Sequence, residues 1–278
     1  MKNIKTLALC AALCVSVAAH ASEKPKVTEL GFIPTNVLIV GDSLMYYNGG
    51  INAWLQPMMR ADGNKKAKAR IMTVGGGFCT TWPVKEFLNP YTNNAHTDNA
   101  KAPDAVKAAE DKVMQKYDVV TLQGERFGEA SYGLDEHYMP IHAKDIREFG
   151  ATPVIMMGFN SMAVNTWGNL PAGIDEVVKT TVRTGNKLNA FVIPAGLAFA
   201  NAQKSIKGLN LYQDDKRHPT AAGTYVMAAT MYAAMYHKHP RNVLSFKGSG
   251  EVLIEDGLRA QLCDIAWETC KSFYGWKK

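Results

Sequence analysis

Five short runs of branched and apolar residues punctuate the chain, over 37–40, 71–74, 119–122, 154–157 and 191–193. Each is continuous rather than alternating and is bounded by turn residues, which is the pattern of a strand covered on both faces. Between these runs the spacing becomes helical. Asp104 is placed to cap a helix reaching about Lys116, a second helix ends near Phe149 with Gly150 as its stop, and Ile174, Val177, Val178 and Val182 repeat at helical spacing across 174–188. Two more helices follow the last strand, one after Pro219 and one over 258–274. Strands alternating with helices predict an α/β fold, a five-stranded parallel sheet with helices on both faces.

The strand ends carry the next signal. Every apolar run passes at once into a small or polar segment: Gly41-Asp42-Ser43, Gly75-Gly76-Gly77, Gln123-Gly124-Glu125, Gly158-Phe159-Asn160 and Pro194-Ala195-Gly196. Open parallel sheets bind ligands outside the carboxyl ends of their strands, so the five segments are expected to share one edge.

The first residues stand apart from this pattern. Lys2 and Lys5 precede an apolar run over 7–19, and Ala19-His20-Ala21 has the small-x-small form of a signal-peptidase site. The run falls short of the roughly 20 residues a membrane span needs. Residues 1–21 therefore read as a cleaved signal peptide and 22–34 as a polar lead-in to a domain over 35–278. The expected product is periplasmic or secreted, with no stable membrane anchor. A net charge of +6 is spread along the chain, and the one basic cluster, Lys65, Lys66, Lys68 and Arg70, reads as a solvated helix end leading into a strand, not as a nucleic-acid surface.

Two segments carry candidate chemistry. The 37–40 strand delivers Ser43 onto a tight turn that exposes its hydroxyl. Late in the chain, Asp215-Lys216-Arg217-His218-Pro219 places a carboxylate three residues before a histidine. On one turn that carboxylate can bond one ring nitrogen and fix the tautomer, leaving the other nitrogen to take a proton from serine. Asp214 reads as a solvated neighbour.

Gly-Asp-Ser-Leu near the start of the domain, glycines after the second strand and Asp-x-x-His before a late helix together resemble the SGNH (GDSL-like) hydrolase superfamily, over essentially the whole of 35–278. The resemblance implies a flavodoxin-like three-layer α/β/α sandwich and a cofactor-free serine esterase with Ser43, His218 and Asp215 as its triad. It also implies an oxyanion hole built from the serine N–H, a glycine N–H after strand two and a side-chain amide after strand three. Gly75 is the preferred glycine and Gly76 the alternative. The third block departs from the family's Gly-x-Asn-Asp: Gln123-Gly124-Glu125-Arg126 stands there, similar to the sialate O-acetylesterase-like and acetylxylan-esterase branches. Gln123 would then donate, with Arg126 as the alternative. The implied substrate is a small acyl ester, acetyl above all, on a carbohydrate. The rivals are lipid or aryl esters, transfer of the acyl group to a second sugar, and a carbohydrate-binding relic without catalysis.

Loop aromatics near the strand ends include Tyr46, Tyr47, Trp82, Phe127, Tyr132 and Trp167, of which Trp82, Phe127 and Trp167 are taken as substrate-binding candidates. His96, His137, His142, His237 and His239 fit no catalytic zinc spacing, so no metal is expected. Met227, Met231 and Met235 at helical spacing read as core. Cys263 and Cys270 fall two turns apart on one predicted helix, roughly 10 Å at about 1.5 Å per residue, too far for a disulfide between them. Two buried thiols, or one bridged to Cys79, are the states expected.

Overall fold

The computed structural model describes residues 23–88, 95–98, 116–159, 173–243, 248–249 and 252–277. The predicted strands form β1 (Asn36–Gly41), β2 (Lys68–Gly75), β4 (Val119–Gln123), β5 (Thr152–Met156) and β6 (Phe191–Ile193). One short strand that the sequence analysis does not anticipate, β3 (Ala95–Asp98), joins at the edge. All pairings within this sheet are parallel and the order is β3-β2-β1-β4-β5-β6. Without β3 this is the flavodoxin-like order. The chain leaves β1 toward β2 and returns on the other side at β4, so a crevice is expected at the carboxyl ends of β1 and β4.

Alternate residues of the strands feed two cores. Val37 and Ile39 join one cluster with α2 (Ile51–Ala61), α6 (Ala195–Ser205), α7 (Ala221–Tyr236) and α8 (Asp256–Tyr274). Leu38 and Val40 join the other, with α3 (Val84–Phe87), α4 (Glu129–Phe149) and α5 (Ile174–Leu188). A sheet buried on both faces needs no polar alternation, which is why its strands read as continuous apolar runs.

Helix α7 lies deepest: every residue from Gly223 to Tyr236 is buried, Met227, Met231 and Met235 among them. A helix apolar all round has no face to give to water. Helix α4 ends on left-handed Gly150, as expected. Helix α8 is continuous through Cys263 and Cys270, and all three described cysteines are free and buried. Helices α2 and α6 are additions to the sequence reading. The helix expected over 104–116 and the leader over 1–21 lie outside the described residues, apart from Lys116. Among the described residues no helix is long and apolar enough to cross a membrane.

Candidate active site

At the carboxyl end of β1 the chain turns sharply into α1 (Ser43–Tyr46). Asp42 caps it, its Oδ1 accepting from the Leu44 N–H at 2.8 Å. Gly41 is required here for space: a Cβ would stand 2.5 Å from Gln123 Oε1. That oxygen accepts the Asp42 N–H at 3.1 Å, so the end of β4 buttresses the turn that presents Ser43.

His218 arrives from the other end of the chain. The 212–219 segment leaves and returns through an antiparallel bridge between Tyr212 and Pro219, with Lys216 left-handed at φ 54° near its tip. The Gln213 N–H donates to His218 O at 2.8 Å, and Thr220 then caps the buried α7. The excursion is thus anchored in a helix buried from Gly223 to Tyr236. His218 Nε2 lies 2.9 Å from Ser43 Oγ, and His218 Nδ1 lies 2.5 Å from Asp215 Oδ2. A carboxylate only accepts, so Nδ1 carries the hydrogen and Nε2 presents its lone pair to the serine hydroxyl.

Asp215 also accepts from the backbone N–H groups of Arg217 and His218, both at 2.9 Å. Burial pushes its pKa up, but the His218 ring and these two backbone donors outweigh it and hold the carboxyl at about 2.

Two neighbours escaped the sequence reading as site residues. The Tyr47 ring stacks on the His218 imidazole, centroids 3.9 Å apart and 9° from parallel. Asn48 Nδ2 donates to Pro219 O at 2.9 Å and to Thr224 Oγ1 at 2.8 Å, tying the Ser43 turn to the His218 segment. Tyr47 is one of the loop aromatics noted from the sequence, and the signal for Asn48 is that it follows Ser43 closely.

The third block lies beneath. Arg126 Nη1 pairs with Asp42 Oδ2 at 2.9 Å, both side chains buried, while its guanidinium lies 5.7 Å from the Phe78 ring centroid and 5.1 Å from that of Phe127. Glu125 Oε1 accepts the Cys79 N–H at 3.2 Å, and Asp135 Oδ2 accepts the Glu125 N–H at 3.4 Å. Burial raises Glu125 to about 7 against the opposing Arg126 charge. Burial, and then Glu125, push Asp135 up, while burial and both carboxyl groups push the Cys79 thiol up. Cys79, Glu125 and Asp135 are also the one group with metal-ligand spacing among the described residues.

The fold thus brings together Ser43, His218, Asp215, Gln123 and Arg126. Gly75 ends β2, and Gly76 follows in the left-handed region at φ 65°, a conformation glycine adopts without strain. Trp82 and Phe127 depart from the expectation of substrate contact. They are 4% and 3% exposed, Trp82 within the α4-side core and Phe127 beside Phe78, so their ring faces are used in packing. Trp167 lies outside the described residues.

No protein-family model matches the chain, and no curated protein matches it. Solved structures do resemble it. A DUF4886 family protein from Bacteroides uniformis ATCC 8492 superposes with a TM-score of 0.59 at 18% identity, covering 84% of this chain and 93% of that one. A GDSL-like lipase from Parabacteroides merdae ATCC 43184 gives 0.51 at 15% identity, covering 76% and 100%. A catalytic mutant of the acetylxylan esterase Axe2 from Geobacillus stearothermophilus gives 0.47 at 15%, covering 75% and 94%, too distant a likeness to carry weight. At these identities the comparisons show a shared α/β fold.

Proposed function

We propose that the protein is an exported serine esterase acting on small acyl esters, acetyl above all, borne by a carbohydrate. One observation carries this reading: Ser43 Oγ, the His218 ring and the Asp215 carboxylate form an unbroken hydrogen-bonded chain at the topological switch point of the sheet.

In this mechanism His218 Nε2 takes the Ser43 proton as Oγ attacks the ester carbonyl carbon. The carbonyl electron pair moves onto oxygen. The tetrahedral intermediate then collapses, and the alcohol leaves with the proton from His218. Water, deprotonated by the same nitrogen, attacks the acyl-enzyme, which releases the acid and restores Ser43. Asp215 holds the ring in its useful tautomer and stabilises the imidazolium.

The oxyanion is held by the Ser43 N–H, in the first turn of α1 where a helix leaves its N–H groups without intrahelical partners, together with Gly75 and Gln123. Gln123 is favoured over Arg126 because its Oε1 is fixed by the Asp42 N–H, leaving the amide's donor end to offer. Arg126 is committed to Asp42.

The acetyl preference rests on the Gln123-Gly124-Glu125 block and on the absence of a long apolar lid segment in the sequence. Export rests on Lys2, Lys5, the 7–19 apolar run and Ala19-His20-Ala21. The test is hydrolysis of acyl esters of graded length, with fluorophosphonate labelling of the active serine. Acetyl and propionyl esters should be turned over faster than esters of eight or more carbons, and labelling should map to Ser43. A long-chain preference would move the substrate to lipids. A chain that neither labels nor hydrolyses any ester would be a binding relic.

A further inference from the structure

Behind the Ser43 turn lies a set of buried groups that the proposed chemistry leaves unused. Glu125 enters it from the segment after β4, Asp135 from α4, and Cys79 from a 3-10 turn over Cys79–Thr81. One atom from each, the Cys79 sulfur and a carboxylate oxygen of Glu125 and of Asp135, lies within 4.8 Å of the other two. Glu125 and Asp135 are only 4% and 1% exposed. Each spends one oxygen on a backbone N–H. Their second oxygens, Glu125 Oε2 and Asp135 Oδ1, are buried and have no hydrogen-bond partner.

A buried acceptor left unmade carries its full desolvation penalty. Two such acceptors on adjacent carboxyl groups have a simple common remedy. One proton removes one of two neighbouring buried charges and turns that group into an O–H donor, for which the other carboxylate, with an oxygen within 4.8 Å, is an acceptor. A divalent cation asks for more. It needs all three ligands deprotonated, a buried thiol among them, and the neighbouring imidazole is already used, His142 Nε2 being 2.6 Å from Cys79 O.

We propose that Glu125 and Asp135 share one proton as a carboxyl–carboxylate pair, and that this pair positions the Ser43 turn. The inference rests on the reading of Ser43 as nucleophile. The route is short. Glu125 adjoins Arg126, which holds Asp42, the cap of the helix that begins at Ser43. Glu125 faces Arg126, Cys79, Asp42 and Asp135, and Asp135 faces Glu125 and Cys79. A second full negative charge in that company would compete with Asp42 for Arg126 and loosen the turn.

The folded chain then keeps a proton that the unfolded chain gives up near the ordinary carboxylate value of 4.5. The pair's stabilisation is complete below that value and is lost as pH rises to about 7. Melting temperatures of the whole chain between pH 4.5 and 8 would test this, alongside kcat, KM and metal content, for wild type, Glu125→Gln, Glu125→Ala and Asp135→Asn. Over that range wild type should lose about 5 °C more than Glu125→Gln, whose amide donates permanently to Asp135. At pH 6, where the shared proton is held, Glu125→Ala should lower kcat about tenfold with KM little changed, and the two amide variants should recover most of it. Parallel melting curves for wild type and Glu125→Gln would overturn the proposal, as would amide variants no better than Glu125→Ala. Near-stoichiometric metal in wild type, lost in Glu125→Gln, would give the cluster to a cation instead. If wild type hydrolyses no ester, the Ser43 reading fails while the melting curves still decide the pair.

Discussion

Asp42, beside Ser43, has a side chain 1% exposed and is paired with Arg126, 84 residues away in sequence. Asp215, beside His218, has a side chain 46% exposed and meets its partner three residues on. The two carboxylates flank the same reacting pair under opposite physical conditions. The buried one is locked by tertiary structure: removing Arg126 strands a charge that water cannot reach. The exposed one is locked by local backbone geometry, and losing the hydrogen bonds of a half-exposed carboxylate costs the fold little. Damage to the buried Asp42–Arg126 pair should therefore appear in stability as well as rate, and loss of Asp215 in rate alone.

The largest effects should come from the reacting groups. Ser43→Ala should lower kcat by about 10³-fold or more, and Asp215→Ala by roughly 10²- to 10³-fold, because oxyanion stabilisation alone cannot replace the triad. Both should melt within about 2 °C of wild type, since neither removes a buried charge. If Ser43→Ala keeps a tenth of the activity, the nucleophile lies elsewhere. A large drop in the melting temperature of Asp215→Ala would break the comparison at its exposed end.

Arg126→Ala probes the buried end. Breaking its pair with Asp42 should cost on the order of 3–5 kcal/mol of stability, seen as a melting temperature lower by about 10 °C. Gln123→Ala should lower kcat on the order of 10²-fold if its amide serves the oxyanion. Below its melting transition, Arg126→Ala should lose less kcat than Gln123→Ala. The reverse ranking would hand the donor role to Arg126.

This division also explains what the sequence made legible. Ser43, Asp215 and His218 can be read because each sits in a short local motif, a strand end or a single turn. The Asp42–Arg126 pair cannot, since nothing within a few residues of either one signals the other. Trp82 and Phe127 look like loop aromatics because their segments follow strand ends, yet both rings are buried, Trp82 in the α4-side core and Phe127 beside Phe78. Five of the sheet's six strands were legible as continuous apolar runs, while β3, a short Ala-His-Thr-Asp segment, was not. Helix α2 was hidden by Pro57, which reads as a helix breaker but sits inside the helix. Helix α6 was hidden because Ala- and Gly-rich residues give it little apolar periodicity.

A smaller effect concerns pH. Hydrogen bonds from His218 and two backbone N–H groups, outweighing burial, hold Asp215 at about 2. Because its pKa is depressed, its contribution to stability is present above the ordinary carboxylate value and fades as pH falls toward 2; solvent exposure keeps that contribution small. Its ionised form should persist over a wider range. The Asp215 carboxyl carbon, followed by NMR, should show no protonation step between pH 8 and pH 4. A step near pH 4 would show that Asp215 protonates there and lacks the donors described.

The smallest effect tests the bridge between the two sides. Asn48 sits in the left-handed region at φ 58°, which asparagine tolerates better than most side chains, and its amide donates to both Pro219 O and Thr224 Oγ1. Alanine would add backbone strain to the loss of two hydrogen bonds, so glycine, which accepts this φ freely, is the cleaner substitution. Neutral hydrogen bonds contribute about 1 kcal/mol each, and water can partly replace these at a half-buried site. Asn48→Gly should therefore lower kcat roughly three- to tenfold, with the melting temperature nearly unchanged. The double variant with Asp215→Ala sharpens the meaning. If Asn48 acts by aligning His218 with Ser43, its loss should matter less once Asp215 no longer orients the ring, and the two effects should fall short of additive. Full additivity would mean that the Asn48 bridge braces the fold without aligning the histidine.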